Sequence, residues 1–239
     1  MKDLFENFTK FEKNDPEFYS LFKDFAFGEV YEYSDLAQKE SILVTLASLL
    51  ACQSPKAFKK ILMSALDKDI TPIEVKELVY QSVPYVGFGR AHNFFGVVTK
   101  VFDKKGIDYP LPSQSNTNSQ NRHKKGREIQ ERYFGAEMIQ MMNENTPDDQ
   151  KHFNRFLEGF CFGDFYTRDG LNDRQRELIT FVFLASLGGC ENQLMGHIHG
   201  NLNVGNTKDD LISTITVIMP YIGFPRTLNA LDIVNKICQ

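Results

Sequence analysis

Three side chains in the C-terminal half could transfer protons or attack a substrate: Glu177, Cys190 and His197. A histidine gives and takes protons near neutral pH, and a partly buried glutamate can orient it or act in its place. Cys190 and His197 are seven residues apart, so both lie on one face if the segment is helical. About 20 Å of helix axis separates Glu177 from Cys190. Glu177 could therefore approach Cys190 and His197 only through the packing of neighbouring helices.

These residue types also have plainer interpretations. His197 could be an ordinary histidine at a helix surface. Cys190 could be a structural thiol, because only His197 among its sequence neighbours would lower its pKa. His199 lies two residues from His197 and faces another direction on a helix, so no metal-binding pair is expected.

Three arginines precede the apolar segment that follows Glu177: Arg168, Arg174 and Arg176. Any of them could neutralise a substrate carboxylate through a bidentate contact. The alternative is a solvated surface arginine, and that interpretation is favoured for Arg174.

An internal repeat organises the elements that must position these residues. Phe27-Gly28-Glu29-Val30-Tyr31 is echoed by Phe162-Gly163-Asp164-Phe165-Tyr166, and Pro84-Tyr85-Val86-Gly87-Phe88 by Pro220-Tyr221-Ile222-Gly223-Phe224. An ordered series at a nearly constant offset predicts two copies of one structural unit.

Both copies are predicted to be helical. Residues 42–51 and 178–187 are apolar nearly all round, which is typical of a fully buried helix. Thr71 with Glu74, and Thr207 with Asp210, form capping patterns at helix starts. Pro84 and Pro220 are expected to disrupt the ends of the helices that follow these caps.

The repeat divides the chain into a first helical repeat at residues 1–105, a polar linker at 106–126 that we expect to be mobile, and a second repeat at 127–239. Glu40 can be aligned with Glu177, and Cys52 with Cys190. The position of His197 falls on Lys59 or Ile61, so any site in the first repeat is expected to be degenerate.

Composition excludes several classes of protein. The chain of 239 residues is 42% hydrophobic and 24% charged, with a net charge of −4, which is ordinary for a folded protein and gives no basic footprint for nucleic acid. Neither a signal peptide nor a membrane span is predicted, so we expect a cytoplasmic protein. The four cysteines show no Cys-x-x-Cys spacing and are expected to be reduced.

The segment 162–180 resembles a motif of the carboxymuconolactone decarboxylase family, with Phe162-Gly163, Arg168, Gly170-Leu171 and Arg176-Glu177-Leu178 in the family's order. Gly188-Gly189-Cys190, His197 and Tyr221-Ile222-Gly223-Phe224-Pro225 continue the resemblance. Asp169 and Tyr166 depart from the family's common proline and tryptophan. The substrate can therefore differ from the namesake.

This resemblance implies an all-α fold of two tandem repeats, active sites between helices of neighbouring units, and a homo-oligomer, expected here as a trimer of two-repeat chains. It implies a lyase that decarboxylates a small carboxylated lactone or related acid without a cofactor or metal. His197 would transfer the proton with Glu177 as its partner, and Arg168 or Arg176 would anchor the substrate near Tyr166.

Two alternatives stay open. The same superfamily contains D-type alkylhydroperoxidases, in which a Cys-x-x-Cys pair beside a histidine performs thiol chemistry. Cys190 would be the peroxidatic thiol here, but Gln193 stands at the second cysteine position. The other alternative is a binding module that has lost catalysis.

Overall fold

The computed structural model describes residues 2–238, which form helices and no β-strand. A 3-10 segment, Lys2–Phe8, opens the first half, and a π-helical turn, Phe25–Glu29, joins its second and third helices. The helices of this half are α1 (Thr9–Asn14), α2 (Pro16–Asp24), α3 (Val30–Glu32), α4 (Gln38–Ala51), α5 (Pro55–Ala65), α6 (Pro72–Val86) and α7 (Phe88–Lys105).

The second half repeats this series after two additional helices. A short 3-10 turn, Asp148–Gln150, and a π-helical segment, Leu157–Tyr166, flank the third of its helices. The helices are α8 (Arg122–Phe134), α9 (Ala136–Asn145), α10 (Lys151–Phe156), α11 (Asp173–Leu187), α12 (Glu191–Asn203) and α13 (Lys208–Ile237). The predicted all-α fold with two tandem repeats is confirmed.

Helices α4 and α11 form the centre of the fold. The Gln175 amide donates to Glu40 Oε1 at 3.4 Å near their N-terminal ends, and the Ser186 hydroxyl donates to Ser48 at 3.3 Å near their C-terminal ends. The two helices therefore run side by side in the same direction. Both are buried along most of their length, as their uniformly apolar sequences predict.

The two repeats bend at equivalent glycines. Gly87, between α6 and α7, has φ 79° and ψ 150°, and Gly223, inside α13, has φ 77° and ψ 163°. Glycine adopts positive φ without the steric cost of a Cβ. The breaks therefore fall three residues after Pro84 and Pro220, and both prolines lie within their helices. The capping boxes at Thr71 and Thr207 form as predicted.

The segment between the repeats lies against the second repeat. The Asn116 amide donates to the Thr167 carbonyl at 2.9 Å, and the Thr117 hydroxyl donates to the Gly163 carbonyl at 2.9 Å. These contacts place part of the predicted polar linker against the second repeat. Its last five residues, from Arg122, are the first turn of α8.

Two glycines bring α8 against the π-helical segment. A Cβ on Gly126 would lie 1.9 Å from the Glu158 carbonyl oxygen, and one on Gly163 would lie 2.3 Å from that of Arg122. Only glycine permits this separation at either position. The π-helical segment, held in this way, carries the buried side chains of Cys161 and Tyr166.

Helix α13 is long and apolar enough to cross a membrane by length and composition alone. It is kinked at Gly223, and it packs against α4, α11 and α12. Leu211 and Ile218 on this helix are fully buried in the core. Its position in the core accounts for its apolar composition.

Candidate active site

His197 and Glu177 form a buried pair between α12 and α11. Nδ1 of His197 lies 2.9 Å from Oε2 of Glu177. The glutamate side chain is fully buried, whereas 11% of the histidine side chain is exposed. With Nδ1 engaged by the carboxylate, Nε2 is the ring nitrogen left for proton exchange with another group.

The carboxylate of Glu177 is closely enclosed, and its Oε1 has no hydrogen-bond partner within residues 2–238. A Cβ on Gly200 would lie 2.4 Å from Oε2 of Glu177, so α12 can pass this carboxylate only with glycine at that position. The Asn201 amide ties the two helices together by donating to the backbone carbonyls of Glu177 at 3.1 Å and His197 at 2.7 Å. The histidine ring is thus held in one orientation relative to its acid.

Tyr85 enters this site from the first repeat. Its hydroxyl lies 3.4 Å from Nε2 of His197 and 2.5 Å from the hydroxyl of Tyr166, which in turn lies 2.9 Å from Oγ1 of Thr180. Tyr85, Tyr166 and Thr180 form what we call the hydroxyl chain. Burial raises the pKa of both phenols well above the usual 10, so both remain protonated hydrogen-bond donors near neutral pH.

Aromatic rings surround the imidazole. The rings of Tyr85 and Phe134 stand nearly perpendicular to it, with centroids 5.3 and 5.4 Å away. Edge-to-face contacts of this kind exclude water and restrict the orientation of the ring. Together they give His197 an apolar setting on the side away from Glu177.

Arg176 does not face a substrate, contrary to the expectation that it could anchor a carboxylate. The residue is 1% exposed, and its guanidinium donates to Gln81 at 3.0 Å and Glu77 at 3.3 Å. It also donates to the backbone carbonyls of Arg168 and Asp169 at 2.7 and 3.0 Å. Its role in this structure is to join the repeats, because Gln81 and Glu77 belong to α6.

Arg168 is paired with the same glutamate. It makes a bidentate contact with Glu77, with Nε and Nη2 each 2.9 Å from a carboxylate oxygen, and its guanidinium lies 4.8 Å from the centroid of the Tyr80 ring. Glu77 is fully buried between the two arginines. This pairing leaves less of the Arg168 charge for a substrate than the sequence suggested.

Cys190 lies away from the histidine pair. It is the N-cap of α12, its thiol donates to the Leu184 carbonyl at 3.3 Å, and it lines a cavity of about 290 Å³ together with Arg226. Burial and the nearby Glu191 raise the pKa of its thiol above the usual 9. His197 is not among the described residues that line this cavity, so the two residues do not share it.

Other residues of the site were not singled out by the sequence. The sulfur of Cys161 lies 3.9 Å from the Tyr85 hydroxyl, and burial raises the pKa of its thiol to about 12. Tyr85 belongs to the repeated proline-tyrosine motif, which was the one available signal. Thr180 and Phe134 had none. Within residues 2–238, no group of three or more His, Cys, Asp or Glu side chains is arranged to hold a metal ion.

The chain is similar to known proteins in sequence and in structure. The sequence profile of the carboxymuconolactone decarboxylase family matches residues 16–100 and 151–236. The 4-carboxymuconolactone decarboxylase of Acinetobacter baylyi (strain ATCC 33305 / BD413 / ADP1) is 30% identical over 120 residues, which cover 50% of this chain and 89% of that protein.

A solved structure from Burkholderia xenovorans LB400, assigned as a gamma-carboxymuconolactone decarboxylase subunit, shares the fold. It superposes with a TM-score of 0.55 and 18% sequence identity, covering 94% of this chain and 88% of the other. The double match of the family profile corresponds to the two halves of the fold described above. The chain belongs to the carboxymuconolactone decarboxylase family.

Proposed function

We propose that this protein decarboxylates a small carboxylated lactone or a related acid without a cofactor, with His197 as the group that transfers the proton. The observation that carries the proposal is the buried His197–Glu177 contact of 2.9 Å, which leaves Nε2 beside the Tyr85 hydroxyl. The name of the Acinetobacter baylyi relative supplies the substrate class.

The reaction needs few groups from the protein. The bond between the ring and the carboxylate carbon breaks and carbon dioxide leaves, while the bonding electron pair is delocalised onto the lactone carbonyl oxygen. A proton from Nε2 of His197 then adds to the ring carbon, and the electron pair forms the new C–H bond. The carboxylate of Glu177 stabilises the imidazolium while it holds that proton.

The hydroxyl chain can stabilise the intermediate. A donor placed at a developing oxyanion lowers the barrier most when it is fixed in a site that excludes water. The Tyr85 hydroxyl is such a donor, because its neighbours Tyr166 and Thr180 are buried and hold it in place. The aromatic rings around His197 also exclude water from the charged substrate carboxylate, which favours its departure as neutral carbon dioxide.

We assign a smaller role to the arginines than the sequence suggested. Arg168 lines an open groove of about 900 Å³ together with Tyr166, so it can attract an acidic substrate toward the hydroxyl chain. Arg176 acts as a positioning residue, because it holds α6, which carries Tyr85, against the second repeat.

We also propose that the chain associates with itself, as a trimer. Phe88 and Phe224 are 62% and 61% exposed at equivalent positions directly after the two bends. Paired exposed aromatic rings are typical of surfaces that become buried in an assembly. Light scattering of the purified protein tests this, with the mass of three chains as the expected result.

The test of the activity is the release of carbon dioxide from 4-carboxymuconolactone by the purified protein. We expect turnover that falls by roughly 10²- to 10⁴-fold in His197→Gln and persists in Cys190→Ser. The matched control is His199→Gln, which changes an exposed histidine of the same helix.

A thiol-dependent peroxide assay runs beside it. Peroxide consumption that disappears in Cys190→Ser, with no turnover of the lactone, would contradict the proposal and favour thiol chemistry. If neither substrate is consumed, the binding-module alternative is favoured. The position and raised pKa of Cys190 both favour lactone turnover over thiol chemistry.

A further inference from the structure

The first repeat contains a cavity of about 350 Å³ near the chain's N-terminal helices. Aromatic rings form most of its wall. The phenylalanines that line it are Phe5, Phe8, Phe11, Phe18, Phe22 and Phe27. We call it the phenylalanine cavity.

This cavity occupies the position in the first repeat that the His197 site occupies in the second. Helix α5 starts after its N-cap Ser54, and α12 after its N-cap Cys190, so Ile61 and His197 both lie seven residues past the N-cap. Ile61 lines the cavity, as does Tyr221, the counterpart of Tyr85 in the repeated proline-tyrosine motif. The equivalent of the histidine is therefore an apolar side chain.

The acid is missing as well. When α4 and α11 are aligned from their first residues, Ile42 takes the position of Glu177, and when they are aligned from their last residues, Ser41 does. Both of these residues are buried. Glu40, which the sequence alignment favoured, instead accepts a hydrogen bond from Gln175 at 3.4 Å. The first-repeat site has thus lost both members of the proton-transfer pair.

The hydroxyl chain has a counterpart beside the cavity. Tyr31, Thr45 and Tyr221 correspond to Tyr166, Thr180 and Tyr85. Burial raises the pKa of Tyr31 to about 12, and the nearby Thr45 hydroxyl offsets part of that rise. The hydroxyls of all three are buried, and within residues 2–238 none has a partner at normal hydrogen-bonding geometry. These hydroxyls lie behind the cavity wall, because only Tyr221 of the three lines the cavity and its hydroxyl is buried.

Among the side chains that the structure describes, none of those that line the cavity is charged. Burying an ionised ligand there would leave its charge without a partner, which is strongly unfavourable. A neutral ring would instead replace water against six aromatic rings. A cavity of about 150 Å³ is enough to bind benzene, so this one can hold a fused-ring molecule.

We propose that the phenylalanine cavity is a second ligand site, which binds a small neutral aromatic molecule and performs no chemistry on it. This proposal does not depend on the decarboxylase activity. It rests on the apolar wall and on the loss of the two groups that the other repeat would use for proton transfer.

Indole is a suitable probe, because the chain contains no tryptophan and the fluorescence of added indole is not overlaid by tryptophan emission. We expect saturable binding of indole to the full chain. Indole-3-carboxylate carries the same ring with a negative charge, and we expect it to bind at least about tenfold more weakly.

Two variants locate the probe. Ala57→Leu fills part of the cavity from α5 and should weaken indole binding about tenfold or more, whereas Gln193→Leu, at the equivalent position of α12, should not. Phe18→Ala removes a lining ring that is 51% exposed, and should weaken binding while keeping lactone turnover. Its control is Phe153→Ala, which removes a 61% exposed ring outside the cavity.

Several results would overturn the proposal. They are the absence of saturable binding, equal binding of the anion, binding unaffected by Ala57→Leu, or binding lost in His197→Gln, which would place indole at the other site. If indole does not bind and Phe18→Ala lowers the mass of the assembly, the cavity is an interface between copies of the chain. If the protein binds indole but does not turn over the lactone, the proposed activity fails while the second ligand site stands. The two failures are therefore distinguishable.

Discussion

The Tyr85 hydroxyl, carried by the first repeat, lies 3.4 Å from Nε2 of His197 and 2.5 Å from the hydroxyl of Tyr166, both in the second repeat. The candidate active site is therefore built across the two repeats. Its counterpart is built in the opposite sense, because Tyr221 of the second repeat lies with Tyr31 and Thr45 of the first. The equivalent tyrosines thus provide a matched pair for mutagenesis.

Tyr85→Phe removes only the hydroxyl that faces His197. We expect kcat for the lactone to fall by about 10- to 100-fold, since one oxyanion donor typically contributes at this level or above, and stability to fall by about 1 kcal/mol through the lost hydrogen bond. Tyr221→Phe is the control. Its hydroxyl has no partner within residues 2–238, so activity and stability should be unchanged or slightly improved. Equal activity of the two variants would remove Tyr85 from the mechanism.

Gly200→Ala should displace the carboxylate of Glu177. The new Cβ would lie 2.4 Å from Oε2, so we expect a loss of about 1–3 kcal/mol of stability and a marked fall in kcat. Gly196→Ala lies one turn earlier on α12, where nothing is within 4 Å of the new Cβ, and should stabilise the helix by about 0.5–1 kcal/mol. Denaturant unfolding measures both. A neutral Gly200→Ala would show that the contact with Glu177 is not restrictive.

Glu77→Gln tests the structural assignment of the arginines. Removing the buried charge leaves Arg168 and Arg176 without their shared carboxylate, and we expect a loss of about 3–5 kcal/mol. Asp67→Asn breaks a pair in which the aspartate side chain is 66% exposed, and should cost less than about 1 kcal/mol. Thermal unfolding measures the stability of both variants. Similar losses of stability in Glu77→Gln and Asp67→Asn would mean that Glu77 is not the buried link between the repeats.

Stability should fall with rising pH above about 10. Burial raises the pKa of Tyr31 to about 12 and those of Tyr85, Tyr166 and Tyr221 well above the usual 10, so these phenols stay protonated when folded and ionise near pH 10 when unfolded. Below pH 10 both states are protonated and their contribution is complete; above it, each such tyrosine removes about 1.4 kcal/mol per pH unit. Unfolding curves between pH 8 and about 11, followed by circular dichroism, measure this. A flat profile would contradict the burial of these phenols.

Local features of the fold could be predicted from the sequence. Helices α4 and α11 are apolar nearly all round, and the caps at Thr71 and Thr207 depend on residues three positions away. Such signals lie within one or two helical turns. The internal repeat then required both halves to adopt the same arrangement, which the structure and the double family match confirm.

The site was less predictable, because its contacts join residues far apart in the sequence. Arg176 is 99 residues from Glu77, and no pattern around either indicates that they meet. Cys190 and His197 have helical spacing, yet Cys190 lies at the N-cap, outside the helix, where its thiol turns to Leu184. Glu177 and His197 meet through the packing of α11 against α12, and Tyr85 could be placed only by the fold.

The exchange of tyrosines between the repeats has a consequence for how the protein could diverge. In an assembly of identical subunits, every crossing point must contain the same residues, so a substitution that changes one site changes all of them. Joining two units in one polypeptide removes that restriction. Here one crossing point keeps His197, while the other has Ile61 and a wall of phenylalanines. A single chain can therefore keep a reaction at one crossing point while the other evolves under separate selection.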